Sequence, residues 1–430
     1  METALNTALD QPLRAYGTTY SHGQGCRQMS GVVVSDTAYT LFNSAVWEQG
    51  NRDRSGGLAA MLCVSGKALF RCHREMWRRV ARADGYYAPT AMTYPYPRIR
   101  PVGVPPVDGA GREELLAREV IRFAFFMPHD HPDVASGVSL ALDSYMQMVG
   151  EGPESINEAF VDDDEGAPLS QDRWTAIRHR LRPERHWRFA DDYSESYANR
   201  VEKRRYETQL FLDGGGARNG YSFRYRARIP WRMPASNKVS LLTATVPTEF
   251  LEAHGPARVA ELARTMASQL QFTTGHVGLH LQLYWPLRST DDALRAEAFR
   301  YPGLDLRSAW LWEEDVGFYV DGVHWLNFFA PPVLEKLRGA HGLRARLRSD
   351  NTRVETINDE RVVVSLGEWP ESGDLLQGFT LPAYRELAHV LGPLLEPLER
   401  SSPSTWMAAG NSFMGFTEEE ALRWWRRFLD

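Results

Sequence analysis

From residue 119 onward the chain alternates two hydrophobic periods, and tight-turn signals interrupt that alternation. Glu119 to Met127 (EVIRFAFFM) reads as a strand that stops at Pro128. Pro132 then opens a helix, because proline suits the first helical turn, and Val134, Val138, Ala141, Leu142 and Tyr145 supply its apolar stripe. Gly150 is placed to end it. Ser170 is the expected N-cap of a helix running to Leu181, with Trp174 and Ile177 facing inward. Tyr221 to Arg228 (YSFRYRAR) alternates aromatic and arginine residues, the period of a half-buried strand with its arginines in solvent. Val239 to Val246 predicts a strand ended by Pro247, residues 256–270 a helix, and Gly275 to Tyr284 another strand.

A second group repeats the theme. Gly317 to Phe329 contains two strand-like runs around Asp321-Gly322, a dipeptide that favours a tight hairpin. Pro331 and Pro332 start a short helix through Leu337, and Thr352 to Leu366 reads as a hairpin turning at Asn358-Asp359. Leu381 to Leu398 is expected to be helical. Thr417 and Glu420 have the spacing of a capping box for a terminal helix. Hairpins among the strand–helix units exclude a simple run of parallel crossovers. The expected class is α+β, with mixed or mainly antiparallel sheets covered by helices.

The tract Tyr94 to Gly111 (YPYPRIRPVGVPPVDGAG) is too rich in proline and glycine for a helix or central strand, so it predicts a tether. Charge changes at the same place: residues 1–110 carry +4 and residues 111–430 carry −10. The expected domains are therefore an N-terminal extension over 1–110 and a body over 111–430, with possible sub-units 111–290 and 291–430. In the extension, Val32 to Val34 and Tyr39 to Phe42 suggest short strands, and Ala68 to Ala83 an amphipathic helix with a basic solvated face. Of 49 basic residues only four are lysine, a skew that reads as coding bias, and the net charge of −6 argues against a nucleic-acid footprint. Three cysteines, Cys26, Cys63 and Cys72, predict free thiols rather than a disulfide framework. The N-terminus lacks the basic start and apolar stretch of a secretory signal, and no apolar run is long enough to span a membrane, so the predicted location is cytoplasmic.

Catalytic motifs are missing. There is no GxxxxGK[ST] loop, no GxSxG elbow and no HExxH, and Gly214 to Gly216 reads as a hairpin loop. His276 and His280 share one face of a strand but lie about 13 Å apart at a ~3.3 Å rise per residue, too far to chelate one ion directly. In the cluster His129–Asp133, capping of the following helix by Asp130 or His131 is preferred over metal binding. No catalytic residue, metal site or cofactor is expected. Trp310, Trp312, Trp325, Trp369, Trp424 and Trp425 are expected to be mostly core, with any exposed one an anchor for a partner.

Several segments carry a family resemblance: HGPARVAELA (254–263), TTGHVGLHL (273–281), FRYPGLDL (299–306), GVHWLNFFAPPVLEKLRG (322–339), VVSLGEWPESGDLLQG (363–378), LPAYRELAHVL (381–391) and EEALRWWRRFLD (419–430). In order and spacing the chain resembles the type VI immunity family (TsiV-like proteins) from about residue 114 to its end. The resemblance implies a binding protein whose partner is a cognate antagonism toxin, plausibly a nuclease, occluded at its active site. A nuclease presents a basic groove to phosphate, so acidic clusters are the expected contacts. Asp162, Asp163, Asp164 and Glu165 form one, and Glu313, Glu314 and Asp315 the other, with solvated loops as the competing reading. The alternatives are a hydrolase using a histidine and a carboxylate from 129–133 or 276–280, and an adaptor in a secretion or defence locus.

Overall fold

The computed structural model describes residues 94–103, 113–161, 165–182, 208–215, 218–228, 238–284, 291–307, 316–397 and 416–430, all within the compact unit Ala91–Asp430. The strands and basic helix expected before residue 94, and the three cysteines, lie outside the described residues.

In chain order the strands are β1 (Val102–Gly103), β2 (Glu114–Leu115), β3 (Ala117–Met127), β4 (Glu158–Val161), β5 (Ala167–Pro168), β6 (Gln209–Asp213), β7 (Ser222–Arg226), β8 (Ser240–Pro247), β9 (Thr274–Leu283), β10 (Leu326–Phe329), β11 (Thr352–Asn358) and β12 (Arg361–Leu366). The helices are α1 (His131–Val149), α2 (Gln171–Arg180), α3 (Thr248–Gln269), α4 (Asp291–Arg300), α5 (Val333–Lys336), α6 (Gly339–Arg346), α7 (Pro382–Leu391) and α8 (Glu418–Trp425). Ten strands form one sheet in the order β11-β12-β10-β9-β3-β8-β7-β6-β4-β5, and every pairing is antiparallel. The α+β class holds. One sheet also runs through both halves of the body, because β9 from the first pairs with β10 from the second.

β3 is the centre, buried along all 11 residues. β8 and β9 flank it, both antiparallel to it, and α3 carries the chain over β3 between them. Alternation sorts the side chains. Ile121, Phe123, Phe125 and Met127 join the main core with Val138 and Leu142 of α1 and Val259 and Met266 of α3. The stripe in α1 is buried as its spacing requires, and Gly150 caps it at φ 77°. The opposite face of β3 carries Arg118, Arg122, Ala124 and Phe126, also buried. At the β12 end of that second face Val362, Val364 and Leu366 pack with Val333, Leu337, Leu387 and Leu391 from α5 to α7 in a separate apolar core.

Four expectations change. The tract expected to be a tether is built into the body over 94–103: Tyr96 and Ile99 are buried, and the Glu119 carboxylate gathers the Ile99 amide (2.9 Å), the Arg100 Nε (3.0 Å) and the Thr248 hydroxyl (3.1 Å). Buried carboxylates need such donors, and the proline-spaced segment supplies them from an extended backbone. Asp321-Gly322 makes no hairpin; only 326–329 is strand, because Asp321 is drawn inward to an arginine. The arginines of β7 do not face open solvent either, since Arg226 is buried and Arg224 is half-buried over the Phe211 ring at 4.2 Å. The helix expected to reach Leu398 ends at Leu391, followed by a 3-10 turn at Gly392–Leu394.

Candidate functional site

The middle of the second face is polar. His276 and His280 project from β9 on the side opposite Val277, Leu279 and Leu281. Between them Gly278 leaves room for His324, which a Cβ there would approach to 3.1 Å from the His324 Cβ. His324 is held by Asn327, whose Oδ1 accepts from its amide at 3.0 Å and whose Nδ2 donates to its carbonyl at 2.7 Å. The His276 and His324 rings stack with centroids 3.6 Å apart and planes 12° from parallel. Loops bring in Asp305 and Asp321, so that His276, Asp305, Asp321 and His324 offer donor atoms within 4.8 Å of one another. All four are buried.

Cations already answer these carboxylates. Arg307 is ion-paired with Asp321, bonds Glu396 at 2.9 Å and lies over the Trp425 ring at 4.4 Å. Arg122 sits 3.6 Å from Asp305 and donates to the Arg307 carbonyl at 2.9 Å. Burial alone would raise Asp305, but its interaction with His280, whose Nδ1 lies 3.8 Å away, and neighbours including Arg122 hold it well below the usual carboxylate range. Burial lowers both imidazoles, His324 to about 3, so they stack as neutral rings. Near-parallel rings cannot aim two nitrogen lone pairs at one ion. The donor set is that of a cation site, but Arg122 and Arg307 already stand against its carboxylates, and the stacked rings make it a buried clamp joining the sheet, Asp305, Asp321 and the C-terminal helix. A cavity of about 20 Å³ beside Asp305, His324 and Trp424 has room for about one water.

The surface presents a different feature. Asp374 is fully buried and caps a 3-10 turn, Leu375–Gln377. Its carboxylate accepts from the Leu376 amide (3.1 Å) and the Gln377 Nε2 (2.7 Å), and Arg300 at the end of α4 adds two more bonds. Hydrogen bonding from Arg300 is the main reason this carboxyl is held below its ordinary range. Asp374 and Phe379 exchange backbone bonds of 2.9 Å, and Gly378 turns the chain at φ 77°, a left-handed conformation that suits glycine. On this braced loop Leu375, Leu376 and Phe379 are 49%, 80% and 59% exposed.

Of the residues singled out in the sequence, Glu165 is exposed between β4 and β5, while Asp162, Asp163, Asp164, Glu313, Glu314 and Asp315 lie outside the described residues. Asp130 occupies the N-cap position of α1 but makes no side-chain cap; its carboxylate pairs with Arg228 at 2.5 Å. His131 is buried and bonds the Tyr225 hydroxyl at 3.0 Å. Trp325 and Trp424 are core, and Trp310 and Trp312 are outside the described residues. The partners of His276 lie up to 48 residues away in loops, and no local period announces them. The Asp374 turn had a signal in Asp-Leu-Leu-Gln-Gly, a short acceptor before a glycine, but nothing local marks its leucines as exposed.

Comparison with known proteins agrees with the architecture. A solved Pseudomonas aeruginosa T6SS protein has a similar fold, with a TM-score of 0.52 at 18% identity over 71% of this chain and 80% of that chain. No curated protein sequence matches. Residues 213–428, from the end of β6 past α8, match the family TsiV, described as type VI immunity for VRR-NUC. With half of its length matched, this chain belongs to the TsiV type VI immunity family.

Proposed function

We propose that this chain binds a cognate nuclease toxin of the VRR-NUC class and neutralises it by covering the toxin's active site. The family match over 213–428 carries the reading, since it takes in the β7–β12 part of the sheet, the buried clamp and the braced loop. Electrostatics support it. A nuclease groove is basic, and residues 111–430 carry −10, a balance that speeds encounter and disfavours competing nucleic acid. The acidic clusters Asp162–Glu165 and Glu313–Asp315 are the proposed steering contacts. Such an inhibitor works where the toxin would meet DNA, so the cytoplasm is the proposed location. Among the described residues no helix is long and apolar enough to cross a membrane.

The test is co-expression with a VRR-NUC nuclease, together with calorimetry using the catalytically inactivated nuclease. Protection of the cells and a 1:1 complex weakened by salt are expected; absence of both overturns the reading. Replacing either acidic cluster by serine is expected to slow association and flatten its salt dependence, and unchanged rates would remove that cluster from the interface. Hydrolytic activity of the purified chain that vanishes in His276→Ala would overturn a purely binding role.

A further inference from the structure

We infer that the loop Asp374–Phe379 is the apolar anchor that this chain inserts into its nuclease partner, an assignment that rests on the immunity reading and specifies where it acts. The fold gains nothing from the exposed Leu375, Leu376 and Phe379 side chains, yet the backbone beneath them is secured at every point. Asp374 accepts four side-chain and backbone donors, the Asp374–Phe379 bridge closes the loop, and Gly378 turns it. A clustered apolar surface on a rigid support is what an interface hot spot requires, because little conformational entropy is lost on binding. Flexible tips expose apolar groups at no such structural effort.

The surroundings identify the chemistry of the occupant. In the segment leading into the loop Glu368 is exposed and Glu371 half-buried, and Glu297 of α4 lies near enough to feel the Asp374 charge. Arg300, which reaches the loop from α4, is spent on Asp374. Just before the loop, half-buried Trp369 lies 5.6 Å from Tyr94, and the Ser372 amide donates to the Pro95 carbonyl at 2.9 Å, tying the loop's base to the segment 94–96. An apolar tip with carboxylates in its approach segment and beneath it on α4 is complementary to a groove with basic walls, the surface a nuclease offers to DNA, and is poorly suited to DNA itself. Seated in that groove, the tip would exclude the phosphate backbone and the carboxylates would meet the groove's lysines and arginines.

The experiment uses the full chain carrying Leu376→Ser with Phe379→Ser, titrated into the inactivated VRR-NUC nuclease from which it protects cells in the co-expression test. Affinity is expected to fall by at least about 100-fold, with the melting temperature and monomer mass unchanged, because the altered side chains are already in water. A second variant, Glu368→Lys with Glu371→Lys, is expected to slow association while leaving the apolar loop intact. If wild type binds the nuclease and the serine variant binds within threefold of it, the anchor assignment is overturned while the immunity reading stands. Wild type that does not bind overturns both. If the serine variant converts a self-associating chain to a monomer without weakening the nuclease complex, the loop is a contact between copies and the assignment is again overturned.

Discussion

Arg300 and Asp374 form a two-point contact, Nε to Oδ1 at 3.0 Å and Nη2 to Oδ2 at 2.8 Å, which couples the end of α4 to a loop 74 residues further along the chain. Paired planar groups of this kind fix orientation as well as distance, and lysine cannot reproduce the fork. Arg300→Ala is expected to cost about 2 kcal/mol in urea denaturation, because Asp374 keeps its other donors but loses its charged partner. Arg300→Lys should recover less than half of that. Proteolytic nicking at 375–379 should rise in both variants, and a loop as resistant as wild type would show that Arg300 is not its brace.

Glu119 is the post to which the 98–100 segment is tied. Substitution by alanine strands the buried Ile99 amide and removes an acceptor from Thr248, while Arg98 and Arg100 are open enough to turn to water. The expected cost is roughly 3 kcal/mol, measured by denaturation. Amide exchange at Ile99 should accelerate toward that of an unprotected residue. Continued slow exchange there would mean that packing of Tyr96 and Ile99 alone holds the segment.

Burial lowers His131 from its ordinary value to about 4. The unfolded chain therefore binds a proton that the folded chain refuses between roughly pH 6.5 and 4. Stability from this residue is complete above pH 6.5 and is lost as pH falls toward 4, by on the order of 3 kcal/mol in total. His276 and His324 add losses of the same sign. His131→Gln should reduce the slope of stability against pH by one proton across that window; an unchanged slope would show that His131 is protonated in the fold.

Gly278 is where the sheet makes room for the clamp. An added Cβ would sit 3.1 Å from the His324 Cβ and 3.5 Å from the Trp325 amide nitrogen. Gly278→Ala requires a shift of a few tenths of an ångström, whereas the branched Gly278→Val forces the loop off the sheet at about 3 kcal/mol. The valine variant should also lose protection at the Trp325 and Asn327 amides. Equal stability of the two variants would show that the loop yields freely.

The elements themselves are legible in the sequence. Pro132 and Gly150 bound α1, Ser170 caps α2 by accepting from the Arg173 amide, and Thr417 and Glu420 form the reciprocal pair that opens α8. Each of these depends on groups within one or two turns of the chain, so spacing alone specifies them. The family resemblance was also readable, because it rests on ordered segments along the chain.

Tertiary structure decided the rest. The strand order that sets β3 between β8 and β9 follows from how α3 crosses the sheet, which no local pattern records. Asp321-Gly322 has a turn's composition, yet the Arg307 guanidinium takes Asp321 into the interior. His276 meets His324 across 48 residues, and the prolines of 94–103 end in the core because a buried glutamate needs their neighbours' donors. Exposure of Leu376 and Phe379 is likewise a property of the folded surface. The division has one cause: backbone capping and side-chain period act within a few residues, whereas charge matching and burial are settled only when distant segments meet.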